Sequence, residues 1–298
     1  MNGKNKGYLL LICTFVLFGT YYVVSKFLLE QIPVFTISFF RFLIAFIFLG
    51  ILGRKRRRRI DKKDYKYILF LGVVGYFGAI GLQFLGTKFA GAATASLLNS
   101  LNPITITFFA VLILNEKLTL KKVFGLVLAV IGINFIIGES QGNNILGISF
   151  SLMSVILWSI VSVMVRKISP KYDSLQLTYY GCGIATLCYL PLGISEQLSN
   201  FVNGKMQLGD FYAWLAIIYI GVICTGIAHY LWNYSLSTLE ATVCSSFYPI
   251  QPLVSTILAT WLLDESIQLS FLVGALLIIT GILISLRKDV NFEGTLIE

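Results

Sequence analysis

Long apolar runs separated by short polar breaks follow one another along almost the whole chain. Each run approaches the roughly 20 residues that a helix needs to cross a bilayer. The runs do not alternate apolar and polar residues with period two, so they predict an all-α membrane protein and not a β-barrel. The ten predicted transmembrane helices cover residues 8–29, 34–52, 65–85, 91–114, 122–138, 145–165, 174–193, 211–236, 241–263 and 268–286, with a polar loop at 195–209.

The residues that interrupt these runs show that the chain is a duplication. The stretch 92–133 returns without a gap as 241–282, at an offset of 149 residues. The matched pairs are Ala92/Ala241, Ser96/Ser245, Pro103/Pro252, Thr107/Thr256, Glu116/Glu265, Gly125/Gly274 and Gly132/Gly281. We therefore expect two five-helix units, residues 7–138 and 145–287. Because five is odd, the second unit must insert upside down, as in the inverted repeats of many secondary transporters.

Composition agrees with a chain that lies mostly in a membrane. Residues are 57% hydrophobic and 12% charged, whereas soluble chains carry about 25% charge. The five cysteines all lie inside apolar runs without metal-ligand spacing, so we expect buried thiols, no metal and no cofactor. The first span is too long for a signal sequence and lacks a small-residue cleavage site, so we expect it to be retained.

The distribution of positive charge predicts the orientation. With a cytoplasmic N-terminus, 19 of the 23 Lys and Arg residues fall on the cytoplasmic side, including the basic run at 54–59. This positive-inside bias predicts a multi-pass protein of the cell membrane with both termini in the cytoplasm. The basic run can also bind anionic lipid head groups. We expect no binding to nucleic acid, because no soluble domain accompanies the basic run.

Two segments of the chain resemble a known family. They are FLGTKFAGAATASLLNSLNPITITFFAVLILNEKL with FGLVLAVIGI, and YLWNYSLSTLEATVCSSFYPIQPLVSTILATWLLDES with VGALLIITGI. Both look like EamA repeats of the drug/metabolite transporter superfamily, and Phe18-Gly19-Thr20 and Phe40-Arg41-Phe42 add to the likeness. The resemblance implies a ten-helix transporter with a central cavity, often an exporter of amino acids or other small metabolites. The family often has Trp where this chain has Phe18, and the equivalent position in the sixth span is Trp158.

Polar side chains inside spans are costly unless they are paired or hydrated, so they are the candidate site. Asn99 and Asn102 share a helix face just before Pro103, and the repeat places Tyr248 and Gln251 in the same positions before Pro252. Each proline frees a backbone carbonyl and is expected to kink its helix. These side chains either line a binding site at the pseudo-twofold axis or satisfy the freed carbonyls and join helices.

Two further groups of residues are candidates for binding substrate. His229, the single histidine, shares a face with Asn233 on the eighth span. His229 either faces a cavity, where it can couple transport to protons, or makes an interhelical hydrogen bond as neutral imidazole. Tyr76 and Gln83 form one stripe of the third span, and with Trp158 they can stack on and hydrogen-bond an organic solute.

Three charged residues are expected to act on structure or gating. Arg41 lies near the middle of the second span and either pins that helix to a neighbour, which we favour, or binds a substrate carboxylate. Glu116 and Glu265 each precede a helix start and are expected to accept hydrogen bonds from its free amide groups. No acidic residue lies in mid-span, which argues against a carboxylate proton relay or a sodium site built from acids.

Together these features predict a secondary transporter that exports small organic, amino-acid-like solutes by alternating access. Another solute (a sugar, nucleoside or drug) is the alternative within this class, and a membrane-embedded enzyme or a passive channel lies outside it. With one histidine and no mid-span acid, we expect no enzymatic activity. The expected partners are a small-molecule solute and the lipid bilayer. The glycine pairs of the fifth and tenth spans permit close helix packing, within one chain or in a homodimer.

Overall fold

The computed structural model describes a bundle of helices joined by short connections. The described residues are 3–54, 60–90, 98–99, 101–116, 119–137, 145–203, 209–263 and 269–286, and these ranges contain no β-strand. In the first half the helices are α1 (Gly3–Leu29), α2 (Val34–Leu52), α3 (65–90), α4 (Asn102–Leu114) and α5 (Leu120–Ile137). In the second half they are α6 (Ile145–Ile168), α7 (Ser174–Val202), α8 (Phe211–Thr238), α9 (Ala241–Ser245), α10 (Ile250–Leu263) and α11 (Leu269–Leu286).

The duplication read from the sequence is repeated in the bounds of the helices. Helix α11 begins and ends 149 residues after α5. Helices α3 and α8 each contain a π-helical segment, Leu71–Ala79 and Ile220–Ile227, and the two segments start 149 residues apart. Helix α7 begins 140 residues after α2. The two halves therefore share one order of elements, including an uncommon π-helical interruption.

Helices of one half pack mainly on helices of the other, and the pairings match when the halves are exchanged. Helix α5 packs on α11 and α2 on α7, while the contact of α3 with α6 is matched by that of α8 with α1. Two equivalent glycines mark close approaches between the halves: Gly72 faces Ile184, and Gly221, 149 residues on, faces Ile44. A side chain at either glycine would meet isoleucine carbon atoms at 2.5–2.8 Å, so neither site has room for one.

The surface of the bundle is apolar and its interior is partly polar, as expected for a protein in lipid. On α1, Leu9, Ile12 and Val16 are exposed along one stripe, whereas Ser38 and Thr178 are fully buried. Six helices of the described residues are long and apolar enough to cross a membrane: Gly7–Leu29, Val34–Leu52, Lys62–Phe89, Ile145–Ile168, Ser174–Val202 and Phe211–Thr238. The remaining four of the ten predicted spans fall on α4, α5, α9 with α10, and α11, and stay predictions.

The predicted ninth span, 241–263, is not one continuous helix. Helix α9 ends at Ser245, a turn covers 246–249, and α10 begins at Ile250. Helix α4 likewise begins directly after a turn at Leu101. Pro103 and Pro252 therefore lie in the first turn of a helix, where the missing N–H donor costs no helical hydrogen bond. The expectation that these prolines kink continuous helices was wrong.

The predicted polar loop at 195–209 is helical as far as Val202. The polar side chains in this segment dock α7 against the start of α2. The Glu196 carboxylate accepts hydrogen bonds from the Thr36 backbone N–H at 2.9 Å and from its hydroxyl at 3.1 Å. Sequence polarity here reflects capping of a neighbouring helix and not a loop.

The glycine pairs are explained by packing within one chain. Gly125 and Gly132 on α5 and Gly274 and Gly281 on α11 are all buried, and the two helices pack on each other. Small residues let helix backbones approach closely in a membrane. The spacing of these glycines therefore needs no second chain, and a homodimer stays a prediction.

Glu116 caps a helix of the opposite half. Its carboxylate accepts hydrogen bonds from the backbone N–H groups of Ala241 at 2.8 Å and Thr242 at 3.0 Å, at the start of α9. The sequence suggested capping of the following helix in the same half, so the partner differs from the expected one. Glu265 lies outside the described residues.

We expect Glu116→Ala to lower the apparent melting temperature in detergent by a few degrees. The change leaves two N–H groups and the positive end of the α9 dipole without their acceptor, a loss of about 1–2 kcal/mol. Glu30→Ala, which removes an exposed carboxylate from the α1–α2 turn, is the matched control and should melt like the native protein. Equal melting of the Glu116 and Glu30 variants would contradict the capping role.

Candidate functional site

A central cavity lies between helices of both halves. It contains about 600 Å³ of space free of protein atoms, a volume that includes the part open to solvent. The side chains around it are aromatic, apolar or hydrogen-bonding. The lining residues are Phe18, Tyr21, Arg41, Ala79, Ile80, Gln83, Asn99, Asn102, Ser154, Trp158, Cys224, His229, Tyr248 and Gln251.

Much of this lining is made of positions that the duplication relates to one another. Eight of the 14 lining residues form four equivalent pairs, at an offset of 140 for the first pair and 149 for the others. The pairs are Phe18/Trp158, Ile80/His229, Asn99/Tyr248 and Asn102/Gln251. Because both halves contribute equivalent positions, the cavity lies where the two repeats meet.

Arg41 forms part of the cavity wall and is 2% exposed. Its Nε donates a hydrogen bond to Thr225 Oγ1 at 2.9 Å, and Nη1 donates to the Tyr21 hydroxyl at 2.8 Å. The guanidinium carbon also lies 4.7 Å from the centre of the Tyr21 ring, within cation–π distance. Arg41 thus joins α2 to α1 and α8, as the pinning interpretation expected, and it also faces the cavity.

Asn102 contributes a buried amide with one unused atom. Its Nδ2 donates a hydrogen bond to the Asn99 carbonyl at 3.0 Å. The residue is 3% exposed, and its Oδ1 has no hydrogen-bond partner among the described residues. A buried acceptor left in this state costs about 1–3 kcal/mol. A hydrogen bond from the donor group of a bound molecule to Asn102 Oδ1 would remove this cost.

His229 is fixed by aromatic neighbours. Its ring lies edge-on to Phe18 at 5.1 Å, to Tyr76 at 5.0 Å and to Trp158 at 5.7 Å between centroids. Its Nδ1 is 3.2 Å from the Cys224 carbonyl oxygen, so the tautomer protonated at Nδ1 donates a hydrogen bond within its own helix. A role in proton coupling stays a prediction.

Trp158 and Tyr248 are hydrogen-bonded to each other in one part of the cavity wall. Both belong to the second half in sequence, but each is the repeat equivalent of a first-half lining residue. The indole Nε1 of Trp158 donates a hydrogen bond to the Tyr248 hydroxyl, and the Tyr248 ring packs 4.7 Å from that of Phe15. This arrangement presents the indole at a fixed angle, which suits stacking against an apolar part of a solute.

The structure brings together seven of the nine residues predicted to bind substrate and places two outside the lining. The seven are Gln83, Asn99, Asn102, Trp158, His229, Tyr248 and Gln251. Asn233 instead donates hydrogen bonds to the Tyr76 hydroxyl at 3.1 Å and to Thr178 Oγ1 at 2.9 Å. Tyr76 is fully buried behind Trp158 and His229. These two residues support the wall from behind and do not contact the cavity.

The wrong placement of Tyr76 has a local cause. Tyr76 and Gln83 are seven residues apart and would share a face of an α-helix. Tyr76, however, lies in the π-helical segment of α3, and Gln83 lies in the α-helical part after it. The wider π turn changes the direction in which successive side chains project. Seven-residue spacing therefore does not put them on one face.

Several lining residues were missed by sequence reasoning. Tyr21, Ser154 and Cys224 line the cavity but were not candidates, and Phe18 was noted only as part of a motif. The repeat itself held a signal for Phe18, because its equivalent Trp158 was a candidate. Tyr21 lies three residues after Phe18 and so shares its helix face. Of the residues assigned to structure or gating, Arg41 lines the cavity, whereas Pro103 is not among the described lining residues.

Further polar contacts join the two halves. Besides the Glu116 cap, Lys122 forms a salt bridge with Glu240, and Lys171 forms one with Asp64 at 3.2 Å. The Ser245 hydroxyl lies 3.4 Å from the Thr107 hydroxyl, where α4 meets α9 below the cavity. The described residues contain no cluster of three or more His, Cys, Asp or Glu side chains placed to hold a metal ion.

Comparisons with known proteins identify a family and relatives that are named as transporters. The model of the EamA-like transporter family matches residues 5–138 and again residues 145–287. An uncharacterized transporter of Archaeoglobus fulgidus is 27% identical over 286 residues, 95% of this chain and 99% of the relative. The uncharacterized transporter YetK of Bacillus subtilis is 27% identical over 290 residues, 94% of this chain and 87% of the relative.

A solved crystal structure has the same fold. It aligns with a TM-score of 0.78 over 95% of this chain and 96% of its own, at 20% sequence identity. At this identity the likeness extends to the fold alone.

The separation of cavity residues from supporting residues predicts different effects on stability. We expect Asn233→Leu to lower the apparent melting temperature in detergent by a few degrees, because it removes two buried interhelical hydrogen bonds worth about 1 kcal/mol together. Gln251→Leu should have a smaller effect, since Gln251 donates one long hydrogen bond, 3.5 Å, to the Phe18 carbonyl. A larger loss for the Gln251 variant than for the Asn233 variant would contradict this assignment.

Proposed function

Since the chain belongs to the EamA-like transporter family, we propose that it is a secondary transporter that exports small organic metabolites, amino acids among them, by alternating access. The observation that carries the proposal is the central cavity with its four pairs of repeat-equivalent residues. A site at the meeting of two repeats stays in place while the repeats exchange conformations around it. Aromatic rings and amides in the same wall suit a solute with both an apolar part and polar groups.

The proposed architecture is ten transmembrane helices in two inverted five-helix units, 7–138 and 145–287. Support comes from the equivalent helices α2 and α7, which run antiparallel. The Thr36 N–H near the start of α2 donates a hydrogen bond to Glu196 near the end of α7 at 2.9 Å, and Gly53, directly after α2, lies against Leu175 at the start of α7. Equivalent helices that run in opposite directions are what inversion requires.

We further propose that the structure represents a state open to the outside of the cell. In this proposal the Glu116 cap and the Lys122–Glu240 and Lys171–Asp64 salt bridges close the end of the bundle to which the sequence assigns most of the basic residues. The positive-inside bias assigns this end to the cytoplasm, with the protein in the cell membrane and both termini inside. Closure of the cytoplasmic end leaves the cavity accessible from the other side.

Exchange between solute inside and outside liposomes tests the proposal. We expect purified protein in liposomes preloaded with unlabelled amino acids to take up a labelled amino acid faster than in empty liposomes, and the uptake to saturate. Saturation and trans-stimulation follow from a site that faces one side at a time, whereas a channel gives neither.

Protein-free liposomes and liposomes preloaded with sugars, nucleosides or cationic drugs serve as controls. Exchange of one of these solutes in place of every amino acid would favour the alternative substrate class. Flux that never saturates and shows no trans-stimulation for any solute would refute a transporter.

A further inference from the structure

Arg41 is a buried cation that the described residues only partly satisfy. The guanidinium has five N–H donors, and two of them are bound by the Thr225 and Tyr21 hydroxyls. Among the described residues no carboxylate lies within 4 Å of this group. A charge at such depth in a membrane protein is expensive and normally pairs with another charge, a carbonyl or water. Arg41 also lines the cavity in which a solute would bind.

The charge of the cavity wall has one sign. Of the 14 lining residues, Arg41 is the one with a permanent charge, and none is Asp or Glu. In a low-dielectric interior a single charge acts more strongly than in water. The wall therefore attracts a negative group on a solute and disfavours a solute whose sole charge is positive. One guanidinium matches the charge of a carboxylate and forms two parallel hydrogen bonds with it.

The duplication makes this charge an exception to the symmetry. The repeat equivalent of Arg41 is Gly181, and a side chain placed there would meet the Tyr76 ring at 2.9 Å. Tyr76 is itself the equivalent of Thr225, the hydrogen-bond partner of Arg41. One half thus fills with an aromatic ring the place that the other half gives to a cation. The cavity consequently has one end that suits a negative group of a solute.

Asn102 supplies the second recognition element. Its buried Oδ1 has no hydrogen-bond partner among the described residues, and Asn102 is one of the residues that line the same cavity. As an acceptor, it requires an N–H or O–H donor. Arg41 thus favours a negatively charged acceptor on the solute, whereas Asn102 Oδ1 favours a hydrogen-bond donor. The two residues lie on different helices.

We propose that Arg41 binds the carboxylate of the transported solute and that Asn102 Oδ1 accepts a hydrogen bond from a donor group of the same molecule. This inference rests on the proposed function, since it assigns recognition groups to the proposed transport site. The Thr225 and Tyr21 hydroxyls orient the guanidinium plane, so the contacts that pin α2 also position the anion-binding face. The solute class is a small monocarboxylate with a hydrogen-bond donor.

Matched analogues test the proposal on the native protein. The probes are glycine, leucine and phenylalanine, the amide of each, 3-phenylpropionate, which lacks the amine, and phenethylamine, which lacks the carboxylate. Binding is measured at neutral pH by calorimetry and by the rise in apparent melting temperature. We expect at least one acid to bind about tenfold or more tightly than its amide, because the amide leaves Arg41 unpaired. If phenylalanine binds, 3-phenylpropionate should bind more weakly, and phenethylamine most weakly.

Variants locate the effect on the two residues. Arg41→Gln should remove the preference for the acid over the amide, and Arg41→Lys should keep part of it. Glu30→Ala, at the exposed α1–α2 turn and outside the cavity lining, is the control and should still prefer the acid. Should Arg41→Gln fail to fold, Asn102→Asp serves as the second variant. Its added negative charge should weaken binding of the acid and strengthen binding of phenethylamine.

Two results would overturn the proposal. One is binding of an amide or amine as tight as that of the matching acid. The other is failure of every acid in the series to bind the native protein. Binding and transport can fail separately: acid-selective binding without solute exchange would refute the transport function alone. Saturable exchange with equal affinity for acids and amides would refute the role of Arg41 alone.

Discussion

The constraint on which the structure depends is that polar groups away from water must find partners inside the protein. Helices satisfy the backbone along their length, and what remains is satisfied between the two halves. Glu116 closes the start of α9, Glu196 closes the start of α2, and Asn233 joins α8 to α3 and α7. Two residues with polar groups that the described residues satisfy less fully line the cavity. They are Arg41, with its guanidinium, and Asn102, with its Oδ1.

The repeat explains both the place of the cavity and its asymmetry. Exchange-related contacts such as Gly72 with Ile184 and Gly221 with Ile44 hold the halves at matching distances. The cavity forms where equivalent positions face each other, so Asn102 and Gln251 both reach it. Divergence then gave equivalent positions different chemistry: Ile80 and His229, or Gly181 and Arg41. In the proposed transport cycle, the symmetric frame permits conformational exchange, and the asymmetric lining distinguishes the two ends of a solute.

Features that depend on the repeat and on helical periodicity could be predicted from the sequence. Features that depend on a contact with a distant segment could not. The offset of 149 residues located the paired polar positions of α4 and of the turn and helix at 246–263, and those positions line the cavity. The same reasoning could not foresee that Asn233 turns away from the cavity, because its partners Tyr76 and Thr178 come from distant segments. It also took 195–202 for a loop, because a polar residue such as Glu196, which caps the start of α2 through Thr36, cannot be told from a loop residue by sequence alone.

We propose that the cavity between the repeats is the solute site and that it opens to the outside. Gln83→Cys, in a chain whose native cysteines are replaced by alanine, places a thiol in the partly exposed part of the cavity wall. The direct measurement is the rate at which a membrane-impermeant maleimide, added outside intact cells, modifies this thiol. We expect the maleimide to modify this thiol from outside, and the rate to fall as the concentration of the exchanged solute approaches saturation. A rate that does not change with solute would contradict it.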